Sequence, residues 1–177
     1  MHKIIGNKKI FAIELELSKD LGNPSAKQRI WINNAHIGNF KEDNYLFPLL
    51  KCLQRISEDN NILWLDEFEG LNCDQLYDKI TPLKKNPDDF WLLNKEEMKE
   101  LQKYDRFLFD WGASFEAWDI KIVIYNKVST FLWTAAITPQ ENGTVNCFSI
   151  PQDIIQQIFL SLKNLIPIDQ WPTQIDR

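Results

Sequence analysis

Histidine and glycine are scarce in this chain of 177 residues, which has two histidines and six glycines. It contains no His-Glu-x-x-His, Gly-x-Ser-x-Gly, Walker A or Gly-x-Gly-x-x-Gly motif. Such motifs build zinc sites, nucleophile elbows and phosphate-binding loops. We therefore predict a protein that is not an enzyme and that holds no cofactor and no metal. We expect His2 at a frayed terminus and His36 near a turn.

Cysteine is also rare, and its spacing is uninformative. Cys52, Cys73 and Cys147 are odd in number and far apart, with no Cys-x-x-Cys pair. This pattern argues against a disulfide framework and against a structural zinc site. We therefore expect three reduced thiols. Residues 1–12 lack the apolar core of a signal peptide, and no window approaches the roughly 18 apolar residues that span a bilayer. A cytoplasmic protein is the expectation.

Apolar residues, in contrast, are plentiful, at 44% of the chain. This content and length fit a single domain, residues 1–177, with a substantial core. Alternating apolar residues predict strands at 11–17, 28–33, 106–111, 120–125, 131–137 and 145–150, and Asn33-Asn34 suggests a tight turn into a short segment at 36–40. Helical spacing predicts helices at 44–58, 74–80, 94–104 and 151–165, and Asn142-Gly143 suggests a hairpin. The order favours an α+β fold, a mostly antiparallel β-sheet with helices packed on one face.

The charge of the chain is unevenly distributed. The net charge is −5, which disfavours nucleic acid or an anionic membrane as the main partner. Seven acidic residues and no basic residue lie between Arg55 and Lys79. This acidic segment also carries aromatic residues, and such a combination suits recognition of a basic protein. The alternative is that the aromatics are core anchors and the acids only solvate a loop.

The predicted partner-binding residues all belong to the acidic segment. They are Trp64, Asp66, Glu67, Phe68, Glu69, Asp74, Tyr77 and Asp78.

Other carboxylates offer a rival hypothesis. Glu14 and Glu16 lie on one side of a predicted strand, where a solvated polar face is the expectation. Asp110, Glu116 and Asp119 surround Gly112 and could converge. A carboxylate-based, metal-dependent hydrolase would require Glu14, Glu16, Asp110 and Glu116 to meet in one pocket.

Five short motifs, in order, resemble a known family. They are residues 11–16 (Phe-Ala-Ile-Glu-Leu-Glu), 31–34 (Trp-Ile-Asn-Asn), 37–40 (Ile-Gly-Asn-Phe), 109–116 (Phe-Asp-Trp-Gly-Ala-Ser-Phe-Glu) and 131–133 (Phe-Leu-Trp). Together they resemble the bacterial immunity proteins numbered forty-two in polymorphic toxin systems. The likeness is strongest over residues 4–55 and 105–135.

The resemblance implies a cytoplasmic antidote that binds a cognate toxin domain, often a nuclease delivered by contact-dependent or secretion routes. It supplies no catalytic residue, and its motifs resemble scaffold, with a glycine turn at Gly112. Residues 58–93 lie outside the motifs, and we expect the toxin-contacting surface there. The partner would be a basic toxin domain, and a homodimer stays possible. A structural or regulatory adaptor without a toxin is a further alternative.

Overall fold

The computed structural model describes residues 1–18, 24–58, 63–81, 94–135 and 144–166. The strands are β1 (His2–Asn7), β2 (Phe11–Leu17), β3 (Ser25–Ile32), β4 (Ala35–Ile37), β5 (Asn44–Tyr45), β6 (Trp118–Tyr125), β7 (Val128–Ala135) and β8 (Asn146–Pro151). The helices are α1 (Phe47–Glu58), α2 (Cys73–Ile80), α3 (Lys95–Gln102) and α4 (Gln152–Leu165). The predicted α+β class is confirmed.

The strands divide into two antiparallel sheets. The first has the order β1-β2-β3-β4, with β5 also paired to β3, and the second has the order β6-β7-β8. Helix α4 contacts β1 and β2 of the first sheet, β8 of the second, and α1. One hydrophobic cluster therefore includes residues of both sheets, among them Phe11 and Phe131, whose ring centroids are 5.4 Å apart.

Local sequence signals locate several elements well. Asn94 and Glu97 form the predicted capping box of α3, each side chain bonding the other's backbone N–H. Asn126 and Lys127 form the tight turn between β6 and β7, both with positive φ. Gly112 also has positive φ, at 87°, and an added Cβ would lie 3.1 Å from Pro48, so glycine suits this turn. The Asn142-Gly143 hairpin signal lies outside the described residues.

Two local predictions are wrong. Residues 106–111 do not form a strand: a 3₁₀ turn spans Asp105–Phe107, and Leu108 makes one isolated bridge to Lys121. Alternating aromatic residues there anchor an irregular segment in the core. A spacing of two residues alone cannot distinguish such a segment from a short strand. His2 is not frayed, because it begins β1 opposite Glu16. Mixed charge and apolar residues are typical of such an edge strand.

Candidate functional site

The acidic segment folds into two short helical pieces. A 3₁₀ turn spans Asp66–Phe68, and α2 follows after Gly70. The Asn72 side chain accepts from the Gln75 backbone N–H at 3.0 Å, and Gln75 returns a bond to the Asn72 backbone, so α2 begins with a capping box. Residues 66–80 therefore form an ordered surface and not a loose loop.

The aromatic residues of the segment face mostly inward. Phe68 and Tyr77 are each 1% exposed and belong to the core. Trp64 is half-buried and stacks on Tyr125 with ring centroids 4.3 Å apart. The alternative that the aromatics are core anchors therefore holds for Phe68 and Tyr77, and a partner meeting this face could reach only Trp64 among the three.

Glu67 is exposed but already paired within the chain. Its carboxylate contacts Lys103 Nζ at 3.0 Å and Lys79 Nζ at 3.3 Å, and it accepts from the Tyr104 hydroxyl at 2.9 Å. Partial burial would raise the pKa of Glu67, but the hydrogen bonds from Lys103, Tyr104 and Lys79 outweigh burial and lower it. Glu67 thus fastens the segment to the two residues that follow α3, and its charge is largely neutralised.

The other four acids predicted to bind the partner form what we call the acidic surface: Asp66, Glu69, Asp74 and Asp78, all exposed. Asp74 lies in the first turn of α2, where the helix dipole favours a negative charge. These four carboxylates lie within one short stretch of chain, so their fields add outside the protein.

A disulfide bond joins α2 to the second sheet, which corrects the expectation of three reduced thiols. Cys73, at the start of α2, bonds Cys147 in β8, with Cα atoms 6.1 Å apart and a sequence separation of 74. Only folding brings two such distant residues together, so their spacing gave no signal. Cys52 is free and buried, and burial, followed by the nearby Asp110 charge, raises the pKa of its thiol.

A cavity of about 310 Å³ lies between residues 108–116 and the first residues of β6. Its lining includes Asp110, Glu116 and Asp119, which do converge, but Glu14 and Glu16 are not part of it. The four-carboxylate pocket of the hydrolase hypothesis is therefore not formed. Within the described ranges, no group of three or more His, Cys, Asp or Glu side chains is placed to hold a metal ion.

Glu14 is not solvated, contrary to expectation: it is 4% exposed on β2. Its carboxylate accepts from Trp31 Nε1 at 2.6 Å and Arg29 Nε at 3.0 Å, and it contacts His2 Nε2 at 2.8 Å and Lys8 Nζ at 3.1 Å. Burial would raise the pKa of Glu14, but these hydrogen bonds dominate and hold it far below its usual range.

Sequence reasoning missed this Glu14 cluster. The alternation in β2 and β3 does place Glu14 and Arg29 opposite each other on one face, so register could have revealed that pair. Lys8 lies in the turn between β1 and β2, and nothing in its position indicated the contact. Every member except Lys8 belongs to the first sheet's strands, so the cluster holds together the first three strands of that sheet.

The fold as a whole matches a solved structure. The crystal structure of CdiI from Burkholderia dolosa aligns with a TM-score of 0.57, covering 92% of this chain and 99% of that chain. The sequences are 12% identical, so this likeness shows a shared fold. No curated protein sequence matches the chain. Among the described residues, no helix is both long and apolar enough to cross a membrane.

These observations define the class as an α+β protein that shares the fold of CdiI. The family is then shown by sequence: the family model described as immunity protein 42 matches residues 1–165. The chain belongs to the immunity protein 42 family, which confirms the resemblance drawn from the five motifs.

Proposed function

We propose that this chain binds a cognate toxin domain in the cytoplasm of the producing cell and neutralises it without catalysing a reaction. The observation that carries the proposal is the family match over residues 1–165, which spans nearly the whole chain. The toxin would be a basic protein, for example a nuclease. It would contact the acidic surface of this chain. The whole chain, residues 1–177, would act as a single domain.

The acidic surface supports the choice of a basic partner. Asp66, Glu69, Asp74 and Asp78 are exposed, and the neighbouring Glu67 is paired with two lysines. A dense negative patch steers a positively charged protein toward it and discriminates against acidic ones. If the toxin is a nuclease, the same carboxylates would bind the toxin's phosphate-binding groups in place of the phosphates.

The arrangement of the segment also supports binding. The hydrogen bond from Tyr77 to Asp119 fixes α2 to the second sheet. A surface that is already ordered loses little conformational entropy when a partner binds. Trp64, half-buried beside the acids, offers apolar contact area at the edge of the same surface.

The primary test is co-expression with the toxin domain encoded beside this gene. We expect restored growth of the toxin-expressing cells and a complex that co-purifies. Continued toxicity at matched expression, with no complex, would contradict the proposed function.

A second experiment tests the surface. Reversing Asp66 and Glu69 to lysine together should weaken toxin binding by roughly tenfold or more at low salt, with less effect at high salt. The matched control reverses Glu42 and Asp43, two exposed acids outside the segment, and should change affinity little. Equal affinities for both double variants, each with a native melting temperature, would remove the acidic surface from the proposal and leave the immunity function standing.

A further inference from the structure

The cavity beside α2 has an unusual lining for its size. It measures about 310 Å³ and lies between residues 108–116 and the first residues of β6. Its aromatic residues are Phe109, Trp111, Phe115 and Trp118. Trp111 and Phe115 are buried, while Phe109 and Trp118 are half-buried. The volume is at the small end of the roughly 300–1,000 Å³ typical of ligand pockets, so it suits one long side chain better than a folded element.

Three carboxylates and one lysine also line the cavity. The negative charge of Asp119 is compensated, because Lys121 Nζ lies 2.5 Å from its Oδ1 and the Tyr77 hydroxyl donates to its Oδ2 at 2.5 Å. Asp110 accepts from the Gly112 backbone N–H at 2.9 Å, which leaves its charge in place. The Glu116 side chain is exposed and makes no hydrogen bond or ion pair with any other residue that the structure describes. The cavity therefore carries a net negative charge beside aromatic rings.

We propose that this cavity receives an arginine side chain of the bound toxin, an inference that rests on the proposed function. A guanidinium is attracted electrostatically to the faces of tryptophan and phenylalanine rings and to nearby carboxylates, and its plane stacks on aromatic rings. The chain already contains one such contact, since the Arg55 guanidinium lies 4.4 Å from the centre of the Phe109 ring. Glu116 and Asp110 would face the incoming charge.

The position of the cavity supports a toxin as the source of that arginine. Tyr77 of α2 bonds directly to Asp119 in the cavity lining, so the cavity adjoins the helix that carries Asp74 and Asp78. One basic partner could therefore meet the acidic surface and place a side chain in the cavity. Anchors of this kind, an arginine in an aromatic pocket, frequently dominate the affinity of an interface.

The first arm of the test needs no toxin. Nα-acetyl-arginine methylamide is titrated into the full chain while the indole N–H signal of Trp118 is followed by NMR. We expect a saturable shift, and none from the neutral norleucine analogue. Glu116→Gln should weaken the response severalfold, and Asp43→Asn, which removes an exposed charge elsewhere, should preserve it. No saturable shift, or an equal shift with the norleucine analogue, would overturn the proposal.

The second arm uses the neighbouring toxin domain. Glu116→Lys should lower toxin affinity by about tenfold or more, because it places a cation where the arginine binds. Asp43→Lys makes the same charge change away from the cavity and should retain affinity. A toxin variant with the inserted arginine changed to glutamate should recover binding to Glu116→Lys. Equal affinity of Glu116→Lys and wild type would overturn the cavity assignment while the immunity function stands.

The two proposals can fail separately. If the wild-type chain does not bind the toxin at all, the proposed function is wrong, and the arginine titration still reports on the cavity. Unchanged melting temperatures for Glu116→Lys and Asp43→Lys establish that both variants are folded, which is expected because both positions are exposed.

Discussion

The Tyr77 hydroxyl donates a hydrogen bond of 2.5 Å to Asp119 Oδ2, joining α2 to β6 across 42 positions of sequence. Tyr77 is 1% exposed, so the bond forms away from bulk water. Burial, followed by the hydrogen bond to Asp119 and its negative charge, raises the pKa of the Tyr77 hydroxyl. This contact fixes the helix of the acidic segment relative to the cavity.

Replacing Tyr77 with phenylalanine should lower the free energy of unfolding by about 1–2 kcal/mol. The ring stays in the core, but the Asp119 carboxylate loses a donor, with Lys121 remaining beside it. Chemical denaturation at neutral pH measures the change. Tyr104→Phe is the matched control, because Tyr104 donates a similar bond to Glu67, which keeps two lysines. A larger loss for Tyr104→Phe than for Tyr77→Phe would contradict this account.

Replacing Glu14 with glutamine should lower the free energy of unfolding by about 2–3 kcal/mol at neutral pH. The amide would set N–H donors against the donors of Arg29 and Trp31 and would remove the charge that balances Lys8 and Arg29. Glu16→Gln is the control, since Glu16 makes one partly exposed pair with Lys27 and should cost well under about 1 kcal/mol.

The cost of Glu14→Gln should also depend on pH. Because folding lowers the pKa of Glu14 from its usual 4.5, its contribution is complete above that value and is lost as the pH falls toward the folded-state pKa. The difference in the free energy of unfolding between wild type and Glu14→Gln should therefore be greatest near neutral pH and shrink steadily below pH 4.5. Unfolding curves at a series of pH values measure it, and a constant difference down to strongly acidic pH would refute the cluster's electrostatic role.

Reducing the Cys73–Cys147 bond should lower the free energy of unfolding by about 2–4 kcal/mol. The bond closes a loop with 74 positions of sequence separation, which restricts the unfolded chain. Unfolding with and without a thiol reductant measures the effect. Cys73→Ser should remove the dependence on reductant, whereas Cys52→Ser, at the free and buried thiol, should preserve it. Dependence that survives in Cys73→Ser would exclude this disulfide as its source.

Local patterns located most elements because they depend on neighbouring residues. The alternation of Phe11, Ile13 and Leu15 predicts β2, and the Asn94–Glu97 pair predicts the start of α3, and both are observed. The pattern was misleading at residues 106–111, where Phe107 and Trp111 anchor an irregular segment in the core. The division of the strands into two sheets depends on pairing partners, which no local window contains.

The candidate sites also combine features that the sequence shows with features that only the tertiary structure shows. Composition located the acidic segment, but only packing showed that Phe68 and Tyr77 face the core and that Glu67 is paired with Lys79 and Lys103. The convergence of Asp110, Glu116 and Asp119 was suggested by their closeness in sequence, whereas the aromatic lining beside them required the tertiary structure.

The sequence by itself determined the α+β class, the membership of the immunity protein 42 family and the location of the negative charge, because each depends on residue type, order and spacing. Tertiary structure decided which charges stay available. Glu14 and Glu67 look equally free in the sequence, yet folding surrounds one with four donors and the other with two lysines and a tyrosine. Folding likewise brought Cys73 to Cys147, since distance along the chain does not fix distance in space.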